Sequence, residues 1–233
     1  MKEIVGLVLI GCVMLSGCTG NSNPVANGTA PAKQTAWLGI VFANPIKNTI
    51  NVNAVKTAGI IGAINMAATA PWLAAFDTIA PETFKNTVQW TLVTGSLTQT
   101  LTKAPSGDTA AACLVIYNGT DMGGMTYDNY PVYATSYRND GKSGSWTRYL
   151  GYQSFTFAID ANGTKTGNWL PDGAGTRTSI ADSTNGNGSL VTYIPGPTAP
   201  QESYVAHWLA DGSGTWASFG SNGIQTGSGI WGK

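Results

Sequence analysis

Few side chains in this sequence are equipped for chemistry. The 233-residue chain has one histidine, His207, three cysteines, Cys12, Cys18 and Cys113, and three glutamates, Glu3, Glu82 and Glu202. A zinc centre usually takes three or four His, Cys or carboxylate ligands, and a glycosidase needs two carboxylates facing each other across a cleft; no spacing here suggests either. His207 stands in Val205-Ala206-His207-Trp208-Leu209, where alternation puts it on the face of Val205 and Leu209, as a hydrogen-bonded core or rim histidine. Cys113 lies in the apolar run Ala111-Ala112-Cys113-Leu114-Val115-Ile116, where a thiol acts as a small buried hydrophobe. Asp140, Asp172 and Asp211 each precede a glycine, and backbone geometry explains them as turn residues. Asp160-Ala161-Asn162-Gly163 begins like a calcium loop but lacks the spaced glutamate. The expectation is a protein that is not an enzyme and carries no metal and no cofactor.

Composition narrows the partners. Twelve basic and twelve acidic residues balance, and only 10% of the chain is charged, so no basic footprint for nucleic acid is available. Thirty glycines and abundant Thr, Ser and Asn make a wet, uncharged surface, while 42% apolar residues suffice for one hydrophobic core.

The elements that would position any site begin at the amino terminus. Lys2 precedes an apolar run from Ile4 to Leu15, too short for a bilayer span and suited to a signal peptide. The run ends in Leu15-Ser16-Gly17-Cys18, which resembles the lipobox of prokaryotic lipoproteins. The resemblance implies cleavage before Cys18, acylation of its thiol with lipid such as palmitate, and an exported protein anchored to the membrane or cell surface. Leu9-Ile10-Gly11-Cys12 fits the same pattern but leaves a shorter apolar run. The division is then signal peptide 1–17, lipidated cysteine and tether 18–35, and a single domain 36–233. Residues 57–76 carry no charge but for Asp77 just beyond them, and could be read as a second membrane span. Their Ala, Thr and Gly content and Pro71 favour two buried helices, near 54–68 and 72–78.

From Val88 onward, turn signals recur: Asn118-Gly119, Asp140-Gly141, Asn162-Gly163, Asp172-Gly173, Asn185-Gly186-Asn187-Gly188, Asp211-Gly212 and Asn222-Gly223. Their spacing clusters near eleven and its double, one strand plus one turn, and predicts an antiparallel meander of ten or eleven strands. The fold class is mainly β, a meander forming a closed or half-closed barrel (or sandwich) with a small N-terminal helical element at 54–78. Four turns are followed by Gly-x-Trp, ending at Trp146, Trp169, Trp216 and Trp231. One such unit, residues 157–169, is similar to the repeat of choline-binding cell-wall modules. It covers thirteen residues once and the other copies lack its aromatic pair, so no choline site is carried over.

Two non-catalytic functions fit. In the first, the protein is a lipid-anchored carrier whose apolar ligand lies between sheet and helices, with Trp90, Phe155, Phe157 and Ile64 as walls. In organisation this looks like the lipoprotein-localisation carriers of the Gram-negative periplasm. In the second, exposed aromatics bind glycans or partner subunits at the cell surface, with Trp146, Trp169, Trp216 and Trp231 as candidates and Tyr127, Tyr130 and Tyr133 in support. Four Asn-Gly-Thr or Asn-Gly-Ser sequons, at Asn27, Asn118, Asn162 and Asn187, matter only in a source that glycosylates.

Overall fold

The computed structural model describes residues 40–233 apart from 70, 81, 85–86, 106–109, 139, 172, 174 and 197. Signal peptide, Cys18 and tether lie outside the described residues. An extended segment from Ile40 leads into helix α1 (Val52–Ala68) and a 3₁₀ helix (Pro71–Thr78). Seven strands follow: β1 (Glu82–Phe84), β2 (Thr87–Thr94), β3 (Leu97–Pro105), β4 (Ala110–Thr120), β5 (Thr126–Arg138), β6 (Ser143–Arg148) and β7 (Gln153–Ile159). Six more complete the chain: β8 (Lys165–Leu170), β9 (Arg177–Asp182), β10 (Gly188–Ile194), β11 (Gln201–Trp208), β12 (Gly214–Phe219) and β13 (Gln225–Trp231). All pair antiparallel with their sequence neighbours in one 13-stranded meander. The sheet is not closed into a barrel: β1 and β13 stand at opposite ends of the strand order.

Five connections share one geometry. In residues 121–125, 160–164, 183–187, 209–213 and 220–224 the first N–H donates to the fifth carbonyl, and the N–H of the fourth residue donates back to the first carbonyl. The fourth residue is always glycine, at φ between 74° and 88°, the left-handed region that a side chain resists. A side-chain oxygen accepts the fifth N–H in every case: Asp121 or Asp160 at the first position, Asn185, Asp211 or Asn222 at the third. Asp160 is therefore spent on its own turn, its Oδ1 also accepting the Asn162 N–H.

Two turn readings need correction. Asn118-Gly119 lies within β4, and the chain reverses after it at residues 121–125. The β2–β3 hairpin turns on Gly95-Ser96, a pair without the Asn-Gly or Asp-Gly signature. With β1 added, the strand count is thirteen, above the ten or eleven expected.

Helix α1 starts where the Asn51 carboxamide accepts the N–H groups of Asn53 and Ala54, capping two otherwise unpaired donors. Its buried residues, Ala54, Thr57, Ile61, Ile64 and Ala68, alternate spacings of three and four, a single stripe on one face. By length and composition Val52–Phe76 could cross a membrane. In the fold this stripe is instead the centre of the core, joined by Trp90, Leu101, Phe155, Ile180, Leu190 and Trp208. The helix crosses the strands: Asn51 Nδ2 donates to the Ile230 carbonyl of β13, the Tyr204 hydroxyl of β11 donates to the Asn53 carbonyl, and Trp146 Nε1 of β6 donates to the Ala67 carbonyl. A flat sheet would separate β6 from β13 by about 34 Å, while seventeen helical residues rise about 25 Å, so the sheet bends around the helix.

The segment before α1 is pinned to the same inner face. Phe42 is 1% exposed and lies over Gly167. Asp182, buried at 3%, accepts the Ala43 N–H at 2.7 Å, and Lys165 beside it donates to the Val41 carbonyl. On β11 the inner face is Tyr204, Ala206 and Trp208, so His207 points outward and is exposed, neither core nor rim. Its neighbours Val205 and Leu209 share that outer face because the core claims the alternate residues.

Candidate functional site

The sequence-derived candidates for a ligand cavity are core residues. Trp90, Phe155, Phe157 and Ile64 are 3%, 0%, 5% and 0% exposed and belong to one packed cluster with α1. Two of the four tryptophans of the Gly-x-Trp repeat are likewise core residues, which corrects their reading as surface aromatics. Trp146 and Trp231 are 4% and 3% exposed, and the Trp231 indole donates to the Gly212 carbonyl at 2.9 Å. Trp169 and Trp216 are half-buried against the core. Two repeat tryptophans face glycines across the ladder, Trp231 opposite Gly214 and Trp216 opposite Gly229, as does Trp208, outside the repeat, opposite Gly188. In each pair the indole occupies the space where a β-carbon would sit, so ring and glycine complete one another.

What sequence reading only half caught is the tyrosine run Thr126-Tyr127-Asp128-Asn129-Tyr130-Pro131-Val132-Tyr133. Tyrosines three apart alternate faces in a regular strand. Here two bulges intervene between β4 and β5, so that Tyr127, Tyr130 and Tyr133 pair with Gly119, Tyr117 and Val115. Those partners are two apart, and all three tyrosines thereby share one face. The first bulge is locked by Asn118, whose Oδ1 accepts the Asn129 N–H at 2.7 Å while Asn129 takes φ +47°. Val115 is buried in the core, so the shared face is the inner one.

The result is a ledge. Tyr117 and Tyr127 meet edge to face at 5.5 Å between ring centroids, and Tyr127 and Tyr130 lie 5.9 Å apart. The Tyr127 hydroxyl donates to Asp121 Oδ2 at 2.9 Å. Arg148 of β6 is paired in register with Tyr133, and Gln153 of β7 with Arg148, extending the same face. Gln99 of β3 faces Tyr117 on the other side. Tyr130 is 39% exposed, whereas Tyr117 and Tyr133 are half-buried against the core.

The titratable groups of the ledge are shifted by burial and by their hydrogen bonds. Burial raises the Tyr117 and Tyr133 hydroxyls above their ordinary range, with Arg148 pulling back only in part, so neither phenol is activated as a nucleophile. Asp121 is held below the usual carboxylate range by the Met125 backbone N–H and the Tyr127 hydroxyl, which leaves it a poor base. Burial pushes the Cys113 thiol up to about 11, far from a thiolate at neutral pH. Among the described residues no group of three or more His, Cys, Asp or Glu is placed to hold a metal ion.

A second concavity of about 270 Å³ lies on β5–β7, lined by Ser136, Arg138, Ser143, Ser145 and Thr156 with Tyr137, Gly144 and Phe157. It is shallow and open, and its one charged group, Arg138, is already paired with Asp140 at 2.9 Å. Comparison with protein-family models, curated proteins and solved structures finds no match for this chain.

Proposed function

We propose that this chain is an exported, lipid-anchored recognition module that binds saccharide on the tyrosine ledge without catalysing a reaction. The supporting observation is the pair of bulges in β4–β5, which costs regular ladder hydrogen bonds and yields Tyr117, Tyr127, Tyr130 and Tyr133 on one face beside Arg148. Phenol rings, Tyr130 the most exposed of them, present flat apolar surface for the faces of sugar rings, and Arg148 and Gln99 supply donors for hydroxyl groups. Membrane attachment through acylated Cys18 is part of the proposal and rests on the Leu-Ser-Gly-Cys motif alone.

Carriage of an apolar ligand has less support. Its walls would be Trp90, Phe155, Phe157 and Ile64, and side chains already fill the space among them. Two measurements test the proposal on the full-length protein. Cys18→Ser is expected to release the protein from the membrane fraction. Tyr130→Ala is expected to weaken retention on a saccharide matrix by about tenfold, an aromatic contact of roughly 1–1.5 kcal/mol. Failure to retain any saccharide, or co-purification of a stoichiometric apolar molecule in native mass spectrometry, would turn the assignment back to the carrier.

A further inference from the structure

We infer that the saccharide taken by the tyrosine ledge carries a carboxylate, and that Arg148 is the side chain that receives it; this rests on the recognition reading above. The chain has three arginines, and two are already engaged. Arg138 forks onto Asp140, and Arg177 lies over the Tyr193 ring at 4.5 Å. Arg148 is different: its Nε is buried and without a hydrogen-bond partner, and no ion pair among the described residues includes it. A guanidinium left unpaired beside buried rings is poorly solvated, so an anionic acceptor that reaches it is favoured.

The carboxylate nearest in the cluster cannot fill it. Asp121 Oδ1 accepts the N–H groups of Gly123 and Met125, and Oδ2 accepts the Tyr127 hydroxyl. Beside the guanidinium stand Tyr133 in register on β5 and Gln153 in register on β7. Arg148 is therefore the ledge cation without an anionic partner, while the Asp121 carboxylate is taken up by its own turn and by Tyr127. A planar guanidinium matches a carboxylate by two parallel hydrogen bonds, and the adjoining rings match a sugar face. Together these select a uronic-acid type of saccharide over a neutral one.

The test uses the full-length, detergent-solubilised protein with a polyuronate and the same polymer after reduction of its carboxyl groups to alcohols. The expected result is binding of the polyuronate about tenfold or more tighter than the reduced polymer, weakening with salt, as for one charge-assisted pair. Arg148→Gln should abolish that difference, and Arg148→Lys should keep part of it. Equal affinity of the unmodified protein for both polymers overturns the inference but leaves saccharide recognition standing. So does a preference for a sulfated over a carboxylated polymer, which would make the anion a sulfate ester. Binding to no polymer overturns both readings. Should Arg148→Gln fail to fold, the comparison of the two polymers on the unmodified protein still decides.

Discussion

At the scale of the residue, the glycines under indole rings are the positions least able to change. A β-carbon at Gly188 would collide with the Trp208 ring and the Ala181 carbonyl, and Trp208 is 1% exposed. Gly188→Ala is expected to destabilise the fold by about 1–3 kcal/mol in urea unfolding. Gly62, on the exposed side of α1 with nothing within 4 Å of its β-carbon position, should behave oppositely. Gly62→Ala should add about 0.5–1 kcal/mol, the helix-propensity difference. Cys113 offers a clean probe of opening: at pH 8 its buried thiol is mostly protonated, so a thiol reagent should modify it only at the rate of unfolding. The roles of Cys113, Asp140 and Asp211 were legible from their local sequence, because an apolar run and an Asp-Gly pair act locally. The outward position of His207 was not, since its strand alternates between two credible apolar faces and only the distant α1 decides between them.

At the scale of the element, the recurrent glycine turn made the meander readable, because each hairpin depends on five consecutive residues. The tyrosine ledge was hidden for the opposite reason. Its face depends on two bulges, and a bulge is fixed by which partner residue stands across the ladder. The attachment of α1 is also non-local. The Tyr204 hydroxyl lies 2.8 Å from the Thr57 hydroxyl and donates to the Asn53 carbonyl at 3.0 Å, in a wholly buried position. Tyr204→Phe is expected to cost about 0.5–1.5 kcal/mol, the net value of a hydrogen bond, since the Thr57 hydroxyl keeps its own bond to the Asn53 carbonyl. Amide hydrogen exchange should accelerate along α1 before it does along β3–β5 if this anchor holds the helix in place.

At the scale of the molecule, stability depends on acidity through exposed turn carboxylates. Asp121, Asp140 and Asp211 are held below the ordinary carboxylate range, respectively by the Met125 backbone N–H, by Arg138 and by Ser213. A depressed folded pKa gives stability that is present above the ordinary value near ~3.9 and lost as pH falls through the lowered values. Urea midpoints should therefore be flat above about pH 5 and decline below about pH 4, with a shallower decline in Asp121→Asn. The strand order itself carries a consequence for synthesis. Each strand meets its partner as soon as the next hairpin is made, yet α1 is held by Tyr204 of β11 and by the backbone at Ile230. The helix that precedes the sheet is thus the last element to be fully enclosed, and its apolar surface, broken only by Lys56, stays partly uncovered until the final strands are translated. Truncation anywhere before β11 should yield an aggregating chain even though most hairpins are complete.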